Sequence, residues 1–433
     1  MRRLVLVVAA VLALAACGPD AAPPPAPTSS APASPTEASP EPAPERPPEP
    51  TPEPTAPPES PGHVPPAPAD ALERAVWVHL FDGALKTRAG IERVVADLVA
   101  ADATAVIAEV VRRQDAYYAS DVLPRTADPD LEPGLDVLAA LIEVAHAAGL
   151  EVHAWMPVAP TWHQAYEGLP APAGWVTAAH GRDAPEDQRW VTRTVDGEWS
   201  EYLDPALPEV REHVAAVVAE IATRYEIDGV HLDYVRYASE RHGYHPRTLD
   251  AYRAQTGATG VPDPEDPAWS DWRRAQVTEL VRVAAEAVRD TGSAAVVSAA
   301  VITWGEGPGG PGTATFADTR AYRETLQDWP SWARAGVLDA LVPMNYVREA
   351  VPEQAGWLRT WLAFEAGLAA ESGTRVVPGV AGYLNAPADA ATQVGAAYRA
   401  LGAVALYSYQ GSTDDAARPL WADLAASGWG GAG

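Results

Sequence analysis

The chain has 433 residues and carries 58 acidic against 31 basic side chains, a formal net charge of −27. An acidic surface repels phosphate backbones, so no nucleic acid is expected as a partner. A single cysteine, Cys17, excludes an intramolecular disulfide, so the fold must rest on its core.

The chain opens with Arg2 and Arg3, followed by an apolar run from Leu4 to Ala16. That run is too short for a comfortable membrane span, and residues 1–16 read as a signal peptide. The stretch Leu14-Ala15-Ala16-Cys17 is similar to the lipobox of bacterial lipoproteins. The resemblance implies cleavage before Cys17, lipidation of its thiol and a membrane anchor through that lipid. It also implies a place in the cell envelope outside the cytoplasm, periplasmic or at the cell surface. The plainer alternative is an ordinary secretory signal with an incidental cysteine. After Cys17 the segment to residue 69 is almost entirely Pro, Ala, Glu, Ser and Thr. It cannot bury a core and is expected to be a disordered tether. At roughly 3 Å per residue in the polyproline form, such a tether reaches on the order of 150 Å.

Residues 70–430 are globular in composition. Short apolar, β-branched runs predict strands at 75–81, 104–111, 150–156, 228–234, 295–302, 339–346, 374–381 and 403–409. Between them, helical periodicity predicts helices over 91–101, 135–149, 208–225, 271–290, 321–336, 357–373 and 389–402. A last helix over 416–428 closes the chain. Eight β-then-α units in strict alternation predict an α/β fold, a single (β/α)8 barrel with long βα loops. An open doubly wound sheet is the alternative, but no glycine-rich phosphate loop follows the first strand.

In such a barrel, function collects at the C-terminal ends of the strands. His79, Glu109, Trp155, Asp233, Trp304, Asn345, Tyr346, Tyr383 and Tyr409 lie at or just past those ends. The aromatic balance is 15 Trp and 15 Tyr against 3 Phe, which suits the C–H faces and hydroxyl edges of sugars. The loop after the third strand, residues 157–206, carries Trp162, Trp175, Trp190 and Trp199 and reads as a wall of a substrate cleft. On the fourth strand, DGVHLDYVRYAS, period-two spacing puts His231 and Asp233 on one face. A carboxylate in a partly dry lumen has a raised pKa unless donors compensate, the setting of a general acid. Tyr234, Arg236 and Tyr237 follow, placed to bind substrate hydroxyls or carboxylates. The structural alternative for Asp233 is a salt bridge to Arg236. Asp228, at the other end of the strand, reads as a turn cap.

The stretch YEIDGVHLDYVRYAS resembles the fourth-strand signature of the glycosyl hydrolase-like 10 family, a group of bacterial envelope (β/α)8 proteins. RAVWVHLF, VRRQDAYYASDVLP, GLEVHAWMPV, DALVPMNYV and PGVAGYLN resemble its other strands in the right order, over residues 73–410. The resemblance implies hydrolysis of glycosidic bonds, with the glycan strands of peptidoglycan as substrate. It makes Asp233 the central acid and Arg113, Asp115, Tyr118, Trp155, Asn345 and Tyr346 its lining. Where the family has a Gln-Val-Arg run on the second strand, this chain has Glu109-Val110-Val111, which displaces the arginine to Arg112 or Arg113 and offers Glu109 as a second carboxylate; the structural alternative for Glu109 is a core salt bridge to a neighbouring arginine. A more distant likeness is to family 18 hydrolases, whose proton-donating glutamate falls here on Val235. Either Asp233 takes the donor role, or Glu109 or Glu306 supplies it.

The expectation is a membrane-tethered glycoside hydrolase working by carboxylate acid/base catalysis. A non-catalytic glycan-binding lipoprotein on the same barrel is the alternative, motivated by Val235. A metal-dependent hydrolase using His231, Asp233 and His79 is a third reading. Its support is thin, because HGYH at 242–245 lacks the helical spacing of a metal motif. No metal and no cofactor is expected.

Overall fold

The structure is a computed structural model, and it describes residues 71–81, 83–162, 167–354, 356–409, 418–427 and 429–430. The leader, Cys17 and the proline-rich tether lie outside the described residues. Eight parallel staves form the sheet: β1 (Arg74–Val78), β2 (Ala105–Glu109), β3 (Glu151–Pro157) and β4 (Gly229–Asp233), then β5 (Val296–Ile302) and β6 (Ala340–Met344). They continue as β7, in two pieces (Arg375–Val376 and Gly379–Ala381), and β8 (Val404–Tyr407). Each pairs with its sequence neighbour, and β8 pairs back to β1, so the barrel closes. All eight expected strands are present, and the (β/α)8 expectation holds.

Side-chain alternation divides the core in two. Val76, Val106, Val152, Val230, Val297 and Leu341 point outward and pack under the helices. Ala75, Trp77, Ile107, Trp155, Val342 and Ala405 fill the lumen. The helices meet the outer layer through apolar stripes at i, i+3, i+4 and i+7. Helix Arg88–Ala100 buries Ile91, Val94, Val95 and Leu98, and the Thr87 side chain caps its start. Trp77 needs space opposite. A Cβ on Gly379 would sit 3.1 Å from its ring and 2.9 Å from the Pro343 carbonyl, so that stave carries glycine.

Two departures from the expected elements bear on the site. The second run does not continue as a strand to residue 111. After Glu109 the chain folds into a small antiparallel hairpin, Val111–Arg112 with Asp115–Ala116. The helix expected over 321–336 is two short helices, Arg320–Arg323 and Trp329–Arg334. Pro330 sits in the first turn of the second, where its missing N–H costs nothing; inside a continuous helix it would break the ladder. The gap lets Gln327 turn inward. Its side chain accepts from the Ile302 N–H and donates to the Val235 carbonyl, tying the end of β5 to the loop after β4.

Candidate active site

Asp233 is the last residue of β4, lumen-facing and 6% exposed. Its Oδ2 accepts from Trp155 Nε1 at 3.2 Å, and its Oδ1 accepts from the Tyr234 N–H at 2.6 Å. The second bond requires Tyr234 at φ 55, a left-handed conformation that costs a non-glycine residue about 1 kcal/mol and recurs at functional sites. Burial pushes the Asp233 carboxyl up to about 6. The Tyr234 N–H, Arg236 and Trp155 pull it down, and the charge of Glu109 pushes it up. No ion pair joins Asp233 to any cation among the described residues, so the salt bridge to Arg236 is not formed.

His231 lies one layer deeper and is fully buried. Trp77 Nε1 donates to its Nε2 at 3.1 Å, which leaves the ring proton on Nδ1, facing Ser298 Oγ at 2.9 Å. Burial pushes its pKa down to about 3, helped by His153. The imidazole is therefore a neutral brace beneath Asp233, with both nitrogens committed.

Glu109 ends β2 and is 1% exposed. Its Oε2 accepts from Arg112 Nη2 at 2.8 Å and from the Leu80 N–H at 2.7 Å, and Oε1 accepts from Arg112 Nε at 3.3 Å. The arginine comes from the hairpin that replaces the end of the expected strand. The hairpin turn holds Arg113 at φ 51 and Gln114 at φ 62, values that usually select glycine or asparagine. It is held there from outside. Arg113 pairs with Asp115 at 2.9 Å, its carbonyl accepts from Trp175 Nε1, and Gln114 Nε2 donates to the Val158 carbonyl. Arg113 and Asp115 thus brace the hairpin against the long loop.

Above this layer stands a group of aromatic rings centred on Tyr407. Its ring lies 5.9 Å from Trp77, 6.3 Å from Trp155, 5.5 Å from Tyr346 and 5.9 Å from Tyr383. His79 approaches at 6.2 Å. Burial raises the Tyr407 hydroxyl well above its ordinary range, and Tyr234, Glu109 and Asp233 push it further. Tyr383 is 46% exposed and forms the rim. On the β4 side, the Arg236 guanidinium lies 4.9 Å from the Tyr234 ring, 5.2 Å from Trp304 and 5.9 Å from Tyr202. Tyr407 was absent from the expected set, although it shares its face with Ala403 and Ala405 on a period of two.

The structure thus gathers Asp233, Glu109, His79, Trp155, His231, Tyr234, Arg236, Trp304, Tyr346 and Tyr383 at one end of the barrel. Four expected residues face elsewhere. Tyr118 is buried with its ring 5.7 Å from Tyr225, beside the helix Pro208–Arg224. The Tyr237 hydroxyl donates to Asp204 at 2.9 Å, pinning the end of the long loop. Asn345 points outward and donates to Glu365, at 2.9 and 3.1 Å to its two oxygens. Tyr409 donates to Asp97 on an outer helix at 2.7 Å. Glu306 accepts from the Gly312 N–H within its own loop, and Asp228 caps the Val152 N–H at the opposite end of the barrel. Of the four loop tryptophans, Trp175, Trp190 and Trp199 are taken up by Arg113, His180 and Arg189, while Trp162 remains 43% exposed. Among the described residues no group of three or more His, Cys, Asp or Glu side chains is arranged to hold a metal. Glu365 is a further titratable group the sequence reading passed over. It is fully buried on the helix Trp357–Ser372, and burial pushes it up to about 8, with Asn345 pulling the other way.

Several known proteins are similar to this chain. It is 27% identical over 237 residues to Glycosyl hydrolase DigH of Escherichia coli (strain K12), covering 53% of this chain and 52% of that protein. It is 27% identical over 263 residues to Glycosyl hydrolase YngK of Bacillus subtilis (strain 168), covering 56% of this chain and 46% of that protein. The match spans about half the length of these relatives. Among solved structures, the PgaB (BpsB) glycoside hydrolase domain from Bordetella bronchiseptica superposes with a TM-score of 0.58 at 17% identity, covering 82% of this chain and 98% of that one. The catalytic domain of a beta-amylase from Paenibacillus polymyxa gives 0.54 at 10% identity, covering 77% and 91%. At such identities these superpositions show the barrel fold alone. The sequence profile described as Glycosyl hydrolase-like 10 matches residues 73–386, well over half the chain. The chain therefore belongs to the glycosyl hydrolase-like 10 family.

Proposed function

We propose that this protein is a glycoside hydrolase that cuts O-glycosidic bonds in cell-wall glycan, peptidoglycan strands foremost. In this reading it works outside the cytoplasm, tethered to the membrane through lipid on Cys17. One observation carries the reading. Asp233 is a carboxyl group that burial holds near pKa 6, at the C-terminal end of its strand and beside aromatic side chains. Such a group is partly protonated near neutral pH and can hand its proton to a departing glycosidic oxygen. Glycoside hydrolysis uses a second carboxylate to activate water or to stabilise positive charge on the ring. Glu109 takes that part: it ends β2 in the same lumen, where Arg112 and the Leu80 N–H hold its carboxylate in place. Tyr407, at the centre of the aromatic group, offers a ring face for the sugar. The names of the two relatives agree with this chemistry.

A second reading has its own support. Arg112 engages both Glu109 oxygens, and Val235 stands where a distant relative places its acid. On those two observations the barrel binds glycan without cutting it. One experiment separates the readings: the full-length protein is incubated with purified peptidoglycan strands and the soluble products are identified by mass spectrometry. The hydrolase reading expects fragments with new reducing ends from the wild type and none from Asp233→Asn. Strand binding without fragments leaves the binding reading. Neither binding nor fragments removes both.

A further inference from the structure

Five arginines are buried among the described residues: Arg112, Arg113, Arg236, Arg273 and Arg274. Arg112, Arg113 and Arg274 pair with carboxylates, and Arg273 donates to the carbonyls of Glu240, His242 and Pro264. Arg236 has neither. It is 8% exposed, and its one protein acceptor is the Tyr237 carbonyl, at a long 3.4 Å from Nη1. Its other nitrogens have no acceptor among the described residues and are not sealed from solvent. Taking a guanidinium out of water without an anion is costly. The Tyr234, Trp304 and Tyr202 rings offset part of that cost. They also hold the planar group in place while leaving its donors unused. Asp233, three residues back on the same stretch, lowers its pKa in response to Arg236 but makes no ion pair with it.

We propose that Arg236 is a specificity residue that receives a carboxylate carried on a sugar ring of the bound glycan, beside the ring acted on at Asp233. This deepens the glycan reading above and rests on it. The guanidinium fork matches a carboxylate with two parallel hydrogen bonds, which neutral hydroxyls do not reproduce. The charge count favours a carboxylate over a phosphate. Two acidic groups, Asp233 and Glu109, share this end of the lumen, and Arg112 is already spent on Glu109. Arg320, 5.3 Å from the Trp304 ring, is paired with Glu324 at 2.7 Å. The Arg236 guanidinium balances one negative charge, and a phosphate dianion would leave its second charge to be met elsewhere.

The test compares two forms of one polymer: peptide-free peptidoglycan strands, which carry a lactyl carboxylate on alternate sugars, and the same strands after chemical reduction of that carboxylate to an alcohol. Oligo-uronates serve as a second source of sugar carboxylate. The expected result is that full-length wild type prefers carboxylated over reduced strands by about 10- to 100-fold in kcat/KM, expressed mainly in KM. In Arg236→Gln that ratio falls towards one, and in Arg236→Lys it is partly kept. Comparing two substrates on one variant cancels any general loss from misfolding or from a shift in Asp233. Binding of both strands to Asp233→Asn, read by calorimetry, gives the same ratio without turnover. No cleavage but Arg236-dependent preference in binding would end the hydrolase reading and leave this one standing. Equal kcat/KM for both strands in the wild type, or an unchanged ratio in Arg236→Gln, overturns the proposal. A preference for oligo-uronates over lactyl-bearing strands keeps the carboxylate chemistry and changes its source.

Discussion

Asp233 at the end of β4 and Glu109 at the end of β2 are almost equally shielded, 6% and 1% exposed, and both face the barrel lumen. Their surroundings differ in one respect. Glu109 has a guanidinium on both oxygens, delivered by a hairpin turn that puts two non-glycine residues at positive φ. Asp233 has one indole N–H and one backbone N–H, and no cation. Equal burial therefore meets different partners: the first group lies against a guanidinium, and the second, without an ion pair, is lifted to a pKa of about 6. Burial alone does not make an acid; burial with the counter-charge withheld does.

The contrast breaks most visibly on mutation. Asp233→Asn is expected to lower turnover on glycan strands by about 10²- to 10⁴-fold, the usual contribution of a positioned proton donor. The same change removes a buried charge, so thermal unfolding should move little. Glu109→Gln does the reverse to the fold. It breaks the buried Arg112–Glu109 ion pair by removing one partner, and unfolding free energy should drop by about 3–5 kcal/mol. If chemical denaturation gave Asp233→Asn the larger loss of stability, the two groups would have been assigned the wrong way round.

A pH profile sharpens the same contrast. If Asp233 donates a proton, it must be protonated, so kcat/KM is highest below about 6 and falls about tenfold per unit as pH rises through that value. If it served as base or nucleophile, activity would instead be lost as pH fell through about 6. Arg236 favours the ionised form of Asp233. In Arg236→Gln the falling limb should therefore move to higher pH, by about one unit or less. A limb that stays in place would mean that another group carries the proton.

The barrel was legible because eight apolar runs alternate with helical stripes, and Asp233 because its strand keeps a period of two up to the last residue. Legibility failed where that alternation stops. Past Glu109 the chain turns into a hairpin, so Tyr118 ends up outside the lumen. Past Tyr407 the strand has ended, so Tyr409 does not share its face. Asn345 follows the alternation rather than escaping it: it has the parity of Leu341 and Pro343, not of Val342 and Tyr346, and parity alone assigns it outward. The Arg112–Glu109 pair had a weaker signal, two opposite charges three apart across a break in the strand pattern. Tyr237 had none, because its direction depends on Asp204, which is 33 residues away.

Glu365 did leave a trace. It falls on the apolar stripe of its helix with Leu358, Trp361, Leu362 and Leu368, a carboxyl where a leucine would be expected. It extends the comparison to a third buried carboxyl, again without a cation but turned away from the lumen. Its folded pKa of about 8 lies above the ordinary 4.5. The folded state therefore holds the proton after the unfolded state has released it. This contribution to stability is fully present below about pH 4.5 and is lost as pH rises towards 8. Glu365→Gln keeps an amide acceptor for Asn345 and removes the titration. Relative to wild type the variant should gain stability steadily between pH 5 and 8, by roughly 3–4 kcal/mol in total, and level off above that. Activity at pH 6 should change little, since Asn345 keeps its partner and Tyr346 its place beside Tyr407. A stability difference that is flat with pH would place the Glu365 carboxylate in contact with water, and the asymmetry between lumen and outer layer would narrow accordingly.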